Sequence, residues 1–71
     1  MKPNESTGRV RKELVRAHME GFEQAMEAAL GAASEIGSGD FNVEVRFEAH
    51  ISVTNPGVVN EYAVRLISQN D

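Results

Sequence analysis

The chain has no cysteine and no tryptophan. Without thiols there is no disulfide to staple the fold and no thiolate to hold a metal or cluster. Histidine is scarce: His18 and His50 stand alone, with no pair at helical spacing, so the sequence offers no zinc site. No apolar run approaches the roughly 20 residues that cross a bilayer, and the polar opening MKPNESTG does not read as a signal peptide. The expectation is a cytoplasmic protein with no membrane partner. A glycine-rich phosphate loop is missing too, because Gly37-Ser38-Gly39 follows a helical stretch instead of preceding one.

Basic charge is also in short supply, with 7 bases against 11 acids and a net charge of −4. It is unevenly spread. Lys2, Arg9, Arg11, Lys12 and Arg16 all fall in the first 16 positions, and nine acids come after them. A basic arm on an acidic body can meet phosphate. This arm, however, also carries Glu5 and Glu13 and has no aromatic to stack on bases. Nucleic acid is therefore not an expected partner, and the arm reads as a solvated edge or as a contact for the acidic surface of another copy.

What the chain does have is alternation. From 41 to 53 every odd position is apolar (Phe41, Val43, Val45, Phe47, Ala49, Ile51, Val53), and every even one is polar. Side chains on a strand alternate between faces, so this stretch predicts a long strand with one dry and one wet face. Thr54-Asn55-Pro56-Gly57 then predicts a type II turn, with proline and glycine at its centre. Residues 58–68 return as a second strand, with Tyr62, Val64 and Leu66 on the dry face. Pairing Val53 with Val58 sets Phe47 against Val64 and Val45 against Leu66. The same register puts His50 opposite Glu61 and Arg65 diagonal to Glu44 and Glu48. It also sets Arg46 against Arg65, a like-charge pair that calls for a bulge or for an acid from a neighbouring copy.

Between 21 and 36, Phe22, Met26, Ala29, Leu30 and Ala33 recur at helical spacing, and Gly37 can cap the end. Five alanines (Ala25, Ala28, Ala29, Ala32, Ala33) keep this helix slim. Residues 1–8 read as a disordered tail, 9–69 as one domain and 70–71 as a second tail. Residues 9–17 stay open. Val10 and Leu14 fit the opening turns of a longer helix, but the same residues alternate as a short edge strand would.

The expected architecture is a two-layer α+β unit in which the dry side of the sheet covers the helix. The alternative is a long N-terminal helix followed by a β-hairpin. A chain of 71 residues buries little. With disulfides and metals set aside, self-assembly is the remaining staple, and Val59, Ala63 and Ile67 on the outer face are candidate contacts. Glu44, Glu48 and His50 share the wet face, but an open sheet gives them no dry cleft, so neither catalysis nor a metal site is expected.

The order of these pieces resembles the dodecin family. Glu13-Leu14-Val15, Glu20, the run Phe22-Glu23-Gln24-Ala25-Met26-Glu27-Ala28-Ala29 and Ala32-Ala33-Ser34 follow that family's strand-turn-helix pattern. Asp40-Phe41 stands where dodecins carry Asp-Trp, His50 stands at their Arg-Gly-His histidine, and residues 57–64 resemble their Gly-Lys-Val-Ala-His-Tyr-Gln-Val. The likeness covers about residues 10 to 67 and implies β-α-β-β, an antiparallel sheet wrapped around one helix, assembled as a homo-dodecamer. It also implies non-catalytic storage of a flavin such as FMN or riboflavin, a flat aromatic molecule.

By the same resemblance Phe41 takes the place of the stacking tryptophan and Ala63 that of a ring-bonding glutamine, with Tyr62 beside it. His50 matches a subunit-contact position, and Glu48, Arg46, Arg65 and Glu61 share its face. Phenylalanine stacks with less area than indole, and alanine has no hydrogen-bonding group to offer. Arg16-Ala17-His18-Met19 replaces the family's Gly-Thr-Ser-Pro turn, and Glu48-Ala49 replaces Arg-Gly.

Overall fold

A computed structural model describes residues 4–69. The elements run in the order β1 (Glu5–Arg11), a 3-10 turn (Lys12–Leu14), α1 (His18–Gly31), a second 3-10 turn (Ala33–Glu35), β2 (Val43–Ser52) and β3 (Val58–Ser68). The sheet is antiparallel in the order β1-β3-β2, so β3 slides between two strands that the helix connects. This is the expected α+β, β-α-β-β arrangement, and the long N-terminal helix does not form.

β1 lies earlier than expected. Residues 5–8, read as tail, are strand, whereas Lys12, Glu13 and Leu14 leave the sheet in the 3-10 turn. The reason is steric. Ser6, Gly8 and Val10 pair with Leu66, Val64 and Tyr62 on the helix side of the sheet. A Cβ at Gly8 would collide with the Ala25 carbonyl oxygen and the Ala29 backbone nitrogen. Only a chain with tiny side chains there lets the helix backbone settle so close. The Ser6 hydroxyl then donates to the Ala29 carbonyl across 2.8 Å, in a buried bond. Residues 1–3 and 70–71, expected as tails, lie outside the described residues.

The helix also differs in its limits and its facing. It starts at His18, three residues before the expected 21, and stops at Gly31, where the chain tightens into the 3-10 turn. Gly21, Ala25 and Ala29 form its buried line. The larger residues Phe22 and Met26 are half-buried on one flank, and Leu30 and Met19 are exposed. α1 therefore rests on β1 and β3, with β2 to its side. The closed core is small: Ala25, Ala29, Ile36, Val64 and Leu66, bordered by Val10, Phe22, Met26, Ala33, Phe41 and Val43.

The β2–β3 register matches the expected one from Val43↔Ser68 to His50↔Glu61. A bulge then follows, with Ile51 opposite Val59 and Asn60 as the extra residue. Asn60 Nδ2 donates to the Ser52 hydroxyl at 2.8 Å across it. A one-residue shift exchanges faces, so Val59, expected outside, lines the inner side with Ile51. The 54–57 turn is not type II: Asn55-Pro56 is cis and Gly57 has no positive φ.

Candidate functional site

Three surfaces carry chemistry: the outer face of the sheet, the inner face of β2 and a groove at the hairpin tip.

On the outer face, strand alternation gathers the expected contact residues. His50 and Glu61 are direct partners, as are Arg46 and Arg65. The two like charges are separated by acids of the same chain. Arg46 Nε donates to Glu44 at 2.7 Å, while Arg65 reaches Glu48 at 3.2 Å and Glu5 of β1 at 3.6 Å. No acid from a neighbouring copy is needed. The Arg46 guanidinium is held above its ordinary value, chiefly by its hydrogen bond to Glu44 and then by that carboxylate's charge. Arg9 pairs with Glu61 at 3.3 Å. Ala63, expected to be exposed, is buried between the neighbouring positions Arg9 and Glu48. The outer face is thus a chequerboard of paired charge.

The inner face of β2 is the reverse. Val45, Phe47 and Ile51 are exposed, Phe47 at 59%. Phe22 of the helix reaches across to Phe47, edge-on, with ring centroids 5.5 Å apart. The stripe expected to cover the helix instead lies beside it, because the helix sits over the small residues of β1.

The residues that the resemblance singled out are dispersed. Phe41 precedes β2 and folds its half-buried ring over Gly37. Tyr62 is buried on the inner face, edge-on to Phe22 at 5.2 Å, with its hydroxyl hydrogen-bonded to His18 Nδ1 at 2.5 Å. Ala49, the β2 partner of Tyr62, is eight residues from Phe41, about 26 Å along an extended strand. Ala63 points to the opposite face. Within one chain these three residues do not form one pocket.

A hollow of about 780 Å³ lies elsewhere. β3 spans about 36 Å and α1 about 21 Å at their usual rises per residue, so the hairpin tip overhangs the start of the helix. The 12–18 segment passes beneath it. The groove between them is walled by Val15, Ile51, Val53, Val58 and Val59, with Tyr62 and His18 at its inner end. Lys12 and Arg16 also line it, and no Asp or Glu does. Glu13 turns away to a separate hollow with Arg11 and His50. The residues of the basic arm were visible in the sequence. Their meeting with the hairpin tip was not, since it depends on the bulge and on the early end of β1.

Among the described residues no three of His, Asp and Glu converge to hold a metal, and no helix is long and apolar enough to cross a membrane. Comparison with known proteins finds no matching family model, no matching curated protein and no matching solved structure.

Proposed function

We propose that the chain acts as a non-catalytic homo-oligomer that holds a flat aromatic, flavin-like molecule between its copies, in the manner that its resemblance to dodecins implies. The observation that carries the assembly is the bare apolar stripe Val45, Phe47 and Ile51 on β2. A contiguous apolar strip next to a small core is stabilised by covering, and a second copy offers a matching one. The ligand follows from the resemblance alone, with Phe41 as the stacking ring and FMN or riboflavin as the cofactor class. Copies related by symmetry can bring together rings that a single chain holds apart.

A second reading, a ligand-free structural oligomer, is favoured by the way Phe41 lies over Gly37 next to the core. Size-exclusion chromatography with light scattering tests the assembly: a mass of several chains is expected, and a stable monomer would overturn both readings. Quenching of added riboflavin fluorescence separates them. Under the ligand reading Phe41→Ala abolishes quenching while the assembled mass persists. Unchanged riboflavin affinity in that variant removes the stacking role.

A further inference from the structure

We propose that the groove beneath the hairpin tip binds a small amphiphilic anion, an apolar body carrying a single carboxylate. This site is distinct from the Phe41 position and does not depend on the flavin reading.

Size is the first argument. At about 780 Å³ the groove falls within the roughly 300–1,000 Å³ of small-molecule sites. The hollows on the outer face are about 280 and 250 Å³ and mix acids with bases. Lining is the second. Val15, Val53, Val58 and Val59 supply an apolar wall that leaves a hydrocarbon or ring surface out of water.

Charge is the third. The chain carries four more acids than bases, yet the residues around this groove include two cations and no acid. Arg9, Arg46 and Arg65 are each held by a carboxylate. Lys12 and Arg16 make no ion pair among the described residues. Two unpaired cations beside an apolar wall favour a ligand that is itself apolar with one negative end, and they select against a neutral one. A polynucleotide would find no run of cations and no stacking platform. A polyanionic surface would bring too little apolar matter to fill the wall.

A matched pair of fluorescent probes tests this: 1-pyrenebutyrate, the anion, against 1-pyrenebutanol, its neutral counterpart, followed by anisotropy at low salt. The wild-type chain is expected to bind the butyrate at least about tenfold more tightly, a preference that shrinks as salt screens the cations. Lys12 and Arg16 are both exposed, so the double variant Lys12→Gln/Arg16→Gln keeps its fold by circular dichroism. It is expected to bind the two probes equally. Val58→Asp places a carboxylate on the wall and is expected to lose the butyrate.

Equal binding of the two probes by the wild type overturns the proposal, as does a preference that survives the double variant. It also falls if the wild type binds neither probe; if Val58→Asp then lowers the assembled mass, the occupant of the groove is a second copy. Mass and riboflavin quenching, measured on the same samples, separate this failure from failure of the oligomer reading. A lost probe preference with both intact counts against the groove alone.

Discussion

The central strand β3 has two unlike neighbours. On its β1 side the structure is closed: Ser6 and Gly8 meet Ala25 and Ala29 of the helix at backbone distance, and a buried hydroxyl ties strand to helix. On its β2 side it is open. The pairing is longer and the side chains larger, but Val45, Phe47 and Ile51 look out past the helix. The chain places its smallest residues where helix and sheet meet most closely, and leaves the larger side chains of β2 exposed but for the edge contact of Phe22 with Phe47. Tight backbone approach supplies dispersion contacts and one hydrogen bond, but it buries few methylenes. The apolar surface that would normally complete a domain stays exposed along β2.

The sharpest way to break this contrast is to put bulk into the closed side. Gly8→Val is expected to lose about 3 kcal/mol of stability, at the upper end for overpacking, or to leave the chain unfolded in urea titrations followed by circular dichroism. A variant as stable as wild type would mean that the helix does not sit so close. On the open side, Phe47→Ala is expected to weaken association by about 2 kcal/mol, roughly 30-fold in the dissociation constant. The lost ring contact with Phe22 costs the single chain about 1 kcal/mol. Sedimentation at several concentrations reads the first effect and thermal melting the second, and a mass that does not move removes Phe47 from any interface.

A smaller effect tests the tie between strand and helix. Ser6→Ala deletes the donor to Ala29 and is expected to cost about 1 kcal/mol, measured as a fall in urea midpoint with unchanged slope. The smallest concerns the outer face. Glu48→Gln removes one partner of Arg65, whose other carboxylate is Glu5. The pair is partly exposed, so the expected loss is below about 1 kcal/mol and shrinks further in high salt. A large, salt-insensitive loss would show that this face is covered in the working form of the protein.

Much of the hairpin was legible in advance. Alternation from 41 to 53 and from 58 to 68, with a turn between, set the register from Val43 to His50 and the opposition of His50 to Glu61. The relief of the Arg46–Arg65 clash was half legible. A bulge exists, but it lies at Asn60, and the separating acids are Glu44, Glu48 and Glu5 of the same chain. The placement of β1 was not legible. Its inward residues Ser6 and Gly8 carry no hydrophobic signal, and Leu14, which does, is exposed. The groove was missed for a related reason. Lys12 and Arg16 read as part of a solvated edge until the 12–18 segment passes beneath Val58 and Val59.

Local patterning was enough to specify which segments extend, which one coils and which residues share a face, because a period of two or of three to four is written into the order of side chains. It could not specify which apolar face is covered. That choice turns on how closely two backbones approach, and the approach is set at Gly8, Ala25 and Ala29 by residues contributed from opposite ends of the connection between β1 and α1. Periodicity records the identity of side chains along one element, whereas the distance between elements is a joint property of both. For this reason the helix lies over β1 and β3, and the apolar edge of β2 stays bare.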